Sequence, residues 1–291
     1  VAGASDAFTR LFRRKPDPLI RLATGGKREP APGDLPHDLL MELADEASRL
    51  ATQFLVICIR AIDYCPPVDI TFGEFLRAVI TADRDLVPDD PWAYREAWMD
   101  AFRLREIFPD DVQHMAEDAI EWGPPEMTVT IPELTFAKLQ FAGDPARVVS
   151  ADEITRQALA LGNAIFRRDR LVEFGVIAPD DPVLEGDTVE PPVIESIRSL
   201  RRVGPDGQIA FDLVAEVTQK RLVHRDGTIV PLTGGSTIIL GPDGDVRYVV
   251  RKSVRAKTRV AAQAEHITRG GFWKQTGDRW EPEPQPFRLL H

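Results

Sequence analysis

The side chains best suited to chemistry fall in five places, and each departs from the spacing that its chemistry needs. Asp83, Asp85, Asp89 and Asp90 make an acidic cluster of the kind that calcium loops use. An EF-hand loop counted from Asp83 requires Gly at its sixth position and Glu at its twelfth, where this chain has Pro88 and Tyr94. The expected role is helix-end and helix-cap carboxylates. "TGGKR" at Thr24–Arg28 is a fragment of a phosphate loop, but Arg21 stands where the first Gly belongs and Arg28 where Ser or Thr belongs. Ser5 in "GASDA" lacks the second Gly of a nucleophile elbow, since Ala7 is there instead. His37, His114, His224, His266 and His291 are scattered, and only His114 with Glu117 has a helical spacing able to seat a metal. Arg251, Lys252, Arg255, Lys257 and Arg259 form the one basic run, without interleaved aromatics, and a solvated or intramolecular face is expected. No catalytic, cofactor-binding or metal-ligating residue is assigned in this chain.

The elements that carry these residues are legible. The start, "VAGASDAFTRLF", reads as helix, with Phe8, Leu11 and Phe12 on one face. A Gly/Pro-rich stretch ends near Pro36. Leu39, Leu43, Ala47, Leu50, Phe54, Ile57 and Ala61 then recur at three- and four-residue spacings, one face of a long helix that stops at Pro66-Pro67. "TFGE" supplies a capping box, Thr71 with Glu74, for a helix whose expected buried stripe is Phe72, Phe75, Leu76, Val79, Ile80 and Leu86. Asp90-Pro91 signals another start, Asp as cap and Pro in the first turn, for a helix whose apolar content is Trp92, Trp98, Ala101 and Phe102. A short helix is expected around Val112–Ile120.

From Met127 the texture changes. "MTVTI" is strand-like, and Ser150 with Glu153 marks a second capping box. Ile209, Phe211, Leu213, Ala215 and Val217 alternate as in a half-buried strand. Hairpin turns are expected at Gly204–Gly207, Asp226-Gly227 and Gly241–Gly244. A helix near Lys257–Ile267 and a Trp/Pro-rich tail follow. The expected class is α+β: an all-α helical domain over residues 1–125, then a domain over 126–291 with an antiparallel meander and flanking helices.

Composition narrows the function. The 291 residues carry a net charge of −10, which argues against a general nucleic-acid binder. The charge is uneven. Residues 1–125 have 14 Lys/Arg against 23 Asp/Glu, and residues 126–291 have 22 against 23. No apolar run is long enough for a transmembrane helix, so no membrane partner is expected. Cys58 and Cys65 are two helical turns apart, about 10 Å, too far for a disulfide. That spacing leans toward a cytoplasmic setting. The chain opens at Val1 in what already reads as helix, so it is expected to begin inside a larger product.

The order of the helical pieces adds a resemblance. "IRAIDY" closes the long helix, Thr71-Phe72 opens the next, Arg77-Ala78 begins its stripe, and Ala82 with Asp85-Leu86 gives Ala-x-x-Asp-Leu. Ala101-Phe102 and Ile107-Phe108 finish the series. Over residues 1–109 this resembles the C-terminal helical domain of thermolysin-like zinc metallopeptidases, the gluzincins. The resemblance implies a hydrolase scaffold acting on peptide or protein substrate. Its zinc would be held by an HExxH motif and a further glutamate in an upstream segment or partner chain. This chain would then contribute the helical wall of the cleft and be inactive alone. A non-catalytic protein-interaction module is the alternative.

Overall fold

The computed structural model describes residues 2–23, 36–141, 149–203, 209–225, 227–269 and 273–283. Two compact units are present. One spans Val1–Cys65 and Ile70–Trp122; the other holds Pro66–Asp69, Gly123–Val203 and Gly207–His291. The class is mixed α+β. Among the described residues there are eight α-helices and a seven-stranded, mostly antiparallel sheet.

The helical unit contains α1 (Ala2–Arg14), α2 (Asp17–Ala23), α3 (His37–Ala61), α4 (Phe72–Leu86), α5 (Tyr94–Arg103) and α6 (Glu117–Ile120). Leu50, Phe54, Ile57 and Ala61 of α3 are buried, as their spacing predicts, while Leu39, Leu43 and Ala47 of the same face are only half-buried. Phe54 is the hub of an aromatic cluster. It meets Phe8 edge-on at 5.7 Å and stacks on Trp98 at 5.3 Å. α1 lies close against α5, because a Cβ on Gly3 would sit 2.9 Å from the Phe102 ring. The capping box that opens α4 is complete: Thr71 Oγ1 accepts from Glu74 N at 3.2 Å, and Thr71 N donates to Glu74 Oε2 at 2.8 Å. Leu76, Val79 and Ile80 of its expected stripe are buried, but Phe72, in the first turn, is exposed.

Two helix starts differ from expectation. α5 begins at Tyr94, not near Pro91, so Trp92 falls outside it and is exposed rather than part of its apolar face. Asp90 still caps it, since its carboxylate accepts from Tyr94 N and Arg95 N, but Asp90 and Ala93 take positive φ values of 36° and 56° to bring the chain round. α7 (Ala151–Ile165), in the second unit, is capped on one side only. Ser150 accepts from Glu153 N, while Glu153 turns its carboxylate to Arg156 and Gln157. The short helix expected around Val112–Ile120 is reduced to the single turn of α6.

In the second unit, β1 (Thr188–Val189) and β2 (Val193–Val203) pair along one side of β3 (Ile209–Arg225). β4 (Thr228–Leu240) pairs along the other. β5 (Val246–Lys252) continues from β4. α8 (Lys257–Arg269) precedes the hairpin of β6 (Trp273–Thr276) and β7 (Arg279–Pro282), so part of the Trp-rich tail is strand. "MTVTI" makes only an isolated bridge, Thr130 to Asp245, rather than a strand. The turn expected at Gly204–Gly207 lies outside the described residues, as does Asp226; Gly227 and Gly244 have the positive φ their turns require.

The core of this unit lies between α7 and one face of the sheet. Leu161 and Ile165 pack with Leu213, Ala215, Val217 and Ile238. β3 departs from a half-buried pattern at its middle, where Asp212 and Val214, on the opposite face, are buried as well. At Gly235, φ is 155° and a Cβ would lie 1.8 Å from the Val217 carbonyl oxygen; Gly175 approaches from the other side, a Cβ there lying 2.3 Å from Gly235 O. Only glycine permits this crossing of backbones. A smaller core joins the far end of β3 and β4 to α8, Trp273 and Trp280.

Candidate functional site

The acidic cluster disperses. Asp83 and Asp90 face Arg95, Asp85 accepts from the Tyr64 hydroxyl at 2.6 Å, and Asp89 is exposed. Arg95 is the centre of a buried charge network. Its Nη1 bonds Asp83 Oδ2 at 3.0 Å and the Val87 carbonyl at 2.7 Å, Nη2 bonds the Pro88 carbonyl at 2.8 Å, and Nε lies 2.6 Å from Glu117 Oε1. Burial pushes the Asp83 carboxyl up to about 6, with Arg95 pulling the other way. The network fastens the end of α4, the start of α5 and α6 to one guanidinium. Its carboxylates are occupied by arginine, which is a structural arrangement.

His114 is exposed, and its neighbour Glu117 is engaged by Arg84 and Arg95. His37, His224 and His266 are exposed on separate elements, and His291 lies outside the described residues. Ser5 is exposed on α1, and "TGGKR" lies outside the described residues. Cys65 donates to the Ala61 carbonyl at 3.3 Å, and burial pushes its thiol up to about 12. Burial raises Cys58 too. Neither thiol is activated as a nucleophile. Among the described residues, no three His, Cys, Asp or Glu side chains converge to hold a metal ion. The zinc that the gluzincin resemblance implies therefore does not fit the described side chains of this chain.

Of the basic run, Lys252 is buried and Arg259 half-buried, while Arg251, Arg255 and Lys257 are exposed. Lys252 Nζ donates to the Asp69 carbonyl at 2.6 Å, and Arg259 reaches the Asp69 carboxylate at 2.7 Å and the Thr233 carbonyl. Lys257 pairs with Glu185 at 2.6 Å, and Arg255 stands 3.9 Å from Asp181. These cations fasten α8 and its approach to neighbouring loops. A second buried charge group, Asp212 between Arg202 and Arg247, also lies within the sheet unit; burial raises its carboxyl and the two arginines oppose the shift.

An exposed apolar stripe on α3 does not follow from the buried stripe that the sequence spacing predicts. Behind the buried stripe runs an exposed one: Met41, Ala44, Ser48, Ala51, Leu55 and Ile59, continued by Ile62 just past the end of α3, recur at three- and four-residue steps. Leu55 is 60% exposed, Ile59 56% and Ile62 63%. Bulky aliphatic side chains thus stand exposed on consecutive turns of a surface helix. The signal was present in the sequence as a second apolar periodicity offset from the first.

No helix among the described residues is long and apolar enough to cross a membrane. Comparisons with protein-family models, curated proteins and solved structures find no match to this chain.

Proposed function

We propose that this chain is the C-terminal part of a thermolysin-like zinc metallopeptidase or a relative of one, in which the helical unit forms the wall of the cleft. The zinc and the catalytic residues come from another segment or a partner chain. The observation that carries the reading is the order of the helices. α3 closes on Ile59-Arg60-Ala61, α4 opens behind the Thr71 cap with Arg77-Ala78 at the head of its stripe, and α5 ends just past Ala101-Phe102. The Arg95 network makes the α4–α5 connection stiff, as a supporting wall requires. The test is to read the gene on either side of the region encoding Val1–His291 and to coexpress any HExxH-bearing segment found there. Copurification with that segment is the expected result; a gene with no such motif overturns the reading.

The exposed stripe of α3 favours a second reading, a non-catalytic module that docks a partner protein. It is distinguished by a stable, partner-bound complex that holds no zinc.

A further inference from the structure

We infer that the outward face of α3 is a self-association surface, on which a second copy of this chain lays its own α3 antiparallel. The exposed residues Met41, Ala44, Ser48, Ala51, Leu55 and Ile59 of α3, with Ile62 just past its end, recur at three- and four-residue steps along one side of the helix. The seam is uneven in a way that matches its own reverse. Its first half is small at Ala44, Ser48 and Ala51; its second half is bulky at Leu55, Ile59 and Ile62. Laid antiparallel about a two-fold axis between positions 51 and 52, Ile59 falls opposite Ala44, Leu55 opposite Ser48 and Ile62 opposite Met41. Each bulky side chain then meets a small or flexible one, as close helix packing requires.

Charge selects the same direction. Asp38, Glu42, Asp45 and Glu46 lie in the first half of α3, whereas residues 50–62 contain no acid and carry Arg60; Glu42 and Glu46 pair with Arg49 within the chain, so Asp38 and Asp45 carry the asymmetry. A parallel pair would set carboxylates beside carboxylates. The antiparallel pair sets the acidic half of one copy beside the acid-free half of the other. A two-fold arrangement of this kind is closed, so it gives a dimer and not a filament. α3 is 25 residues, about 37 Å, long enough to present the whole seam to a partner. The inference goes beyond the peptidase reading, and its test reads mass and geometry, not zinc, so either can fail alone.

The experiment uses the full chain. Light scattering at about 50 µM, a concentration above a micromolar dissociation constant, is expected to give twice the 32.5 kDa chain mass. Ile59→Glu, and separately Ser48→Arg at the opposite end of the seam, are each expected to return the monomer mass with an unchanged circular dichroism spectrum. Orientation is read by oxidation in a Cys58→Ala background. Ala51→Cys, beside the axis, is expected to link to its own copy. Met41→Cys is expected to link only to Ile62→Cys. A wild-type monomer at that concentration, a dimer that survives both substitutions, or self-linkage through Met41→Cys overturns the inference.

Discussion

Arg95 Nη1 lies 3.0 Å from Asp83 Oδ2, and both side chains are more than nine-tenths buried. Breaking such a pair from one side leaves a charge in the interior with nothing to balance it. Arg95→Leu is therefore expected to cost about 3–5 kcal/mol, read as a lower denaturant midpoint. Asp83→Asn removes the buried negative charge and is expected to cost less than Arg95→Leu.

The same carboxyl gives a pH signature. Its folded pKa, about 6, stands above its ordinary value of 3.8, because burial outweighs the arginine. A raised carboxyl contributes stability that is full below the ordinary value and is lost as pH rises through 6. Between pH 4 and pH 6 the Asp83→Asn protein is expected to show a flatter stability curve than the natural chain in urea titrations. The two curves coinciding in slope across that window would contradict the assignment.

Glu153 behaves in the opposite sense. Its bond to Arg156, reinforced by Gln157 and the Gln140 amide, lowers its carboxyl to about 2 from 4.5. A depressed carboxyl stabilises above its ordinary value, and the contribution is lost as pH falls toward 2. Arg156 is 35% exposed, so solvent screens part of the interaction. Glu153→Gln is expected to cost about 1–2 kcal/mol at pH 7 and progressively less from pH 4.5 downward.

Gly235→Ala tests the backbone crossing in the sheet unit. The added carbon would overlap the Val217 carbonyl oxygen, and that oxygen belongs to the paired strand, so it has nowhere to go. A loss of more than about 4 kcal/mol is expected, seen as a collapse in melting temperature or failure to accumulate folded protein. Gly123→Ala, where a Cβ meets nothing within 4 Å, is the control expected to leave stability unchanged.

Thr71→Ala removes one arm of the α4 capping box and is expected to cost about 1 kcal/mol. Thr71→Ser keeps the hydroxyl and is expected to restore most of it.

What was legible in the sequence follows from how local each signal is. The capping box at Thr71 and the stripe of α3 from Leu50 to Ala61 involve neighbours within one or two turns, and the structure has both, whereas Leu39, Leu43 and Ala47 earlier in that stripe are only half-buried. The hairpin turn at Gly241–Gly244 was equally local. The half-capped start of α7 was not, because the Glu153 carboxylate is drawn away by Arg156 and Gln157 on its own helix. The start of α5 at Tyr94 depends on left-handed Ala93, a conformation that alanine does not advertise. "MTVTI" had the composition of a strand but finds a single bridge partner, which only the placement of Asp245 decides. The burial of both faces of β3 at Asp212 and Val214 likewise depends on what packs over them. The outward stripe of α3 was visible as spacing, yet a helix with one apolar face already assigned to a core does not signal that its other apolar face lies exposed.

We propose that the zinc ligands lie outside this chain, which supplies a wall to a larger zinc-binding assembly. Metal analysis by mass spectrometry, on the isolated chain and on the complete natural product after equilibration with zinc and exhaustive dialysis, tests it directly. The account predicts no retained zinc on the isolated chain and one equivalent on the complete product. Stoichiometric zinc on residues 1–291 alone, or a zinc-free complete product, would contradict it.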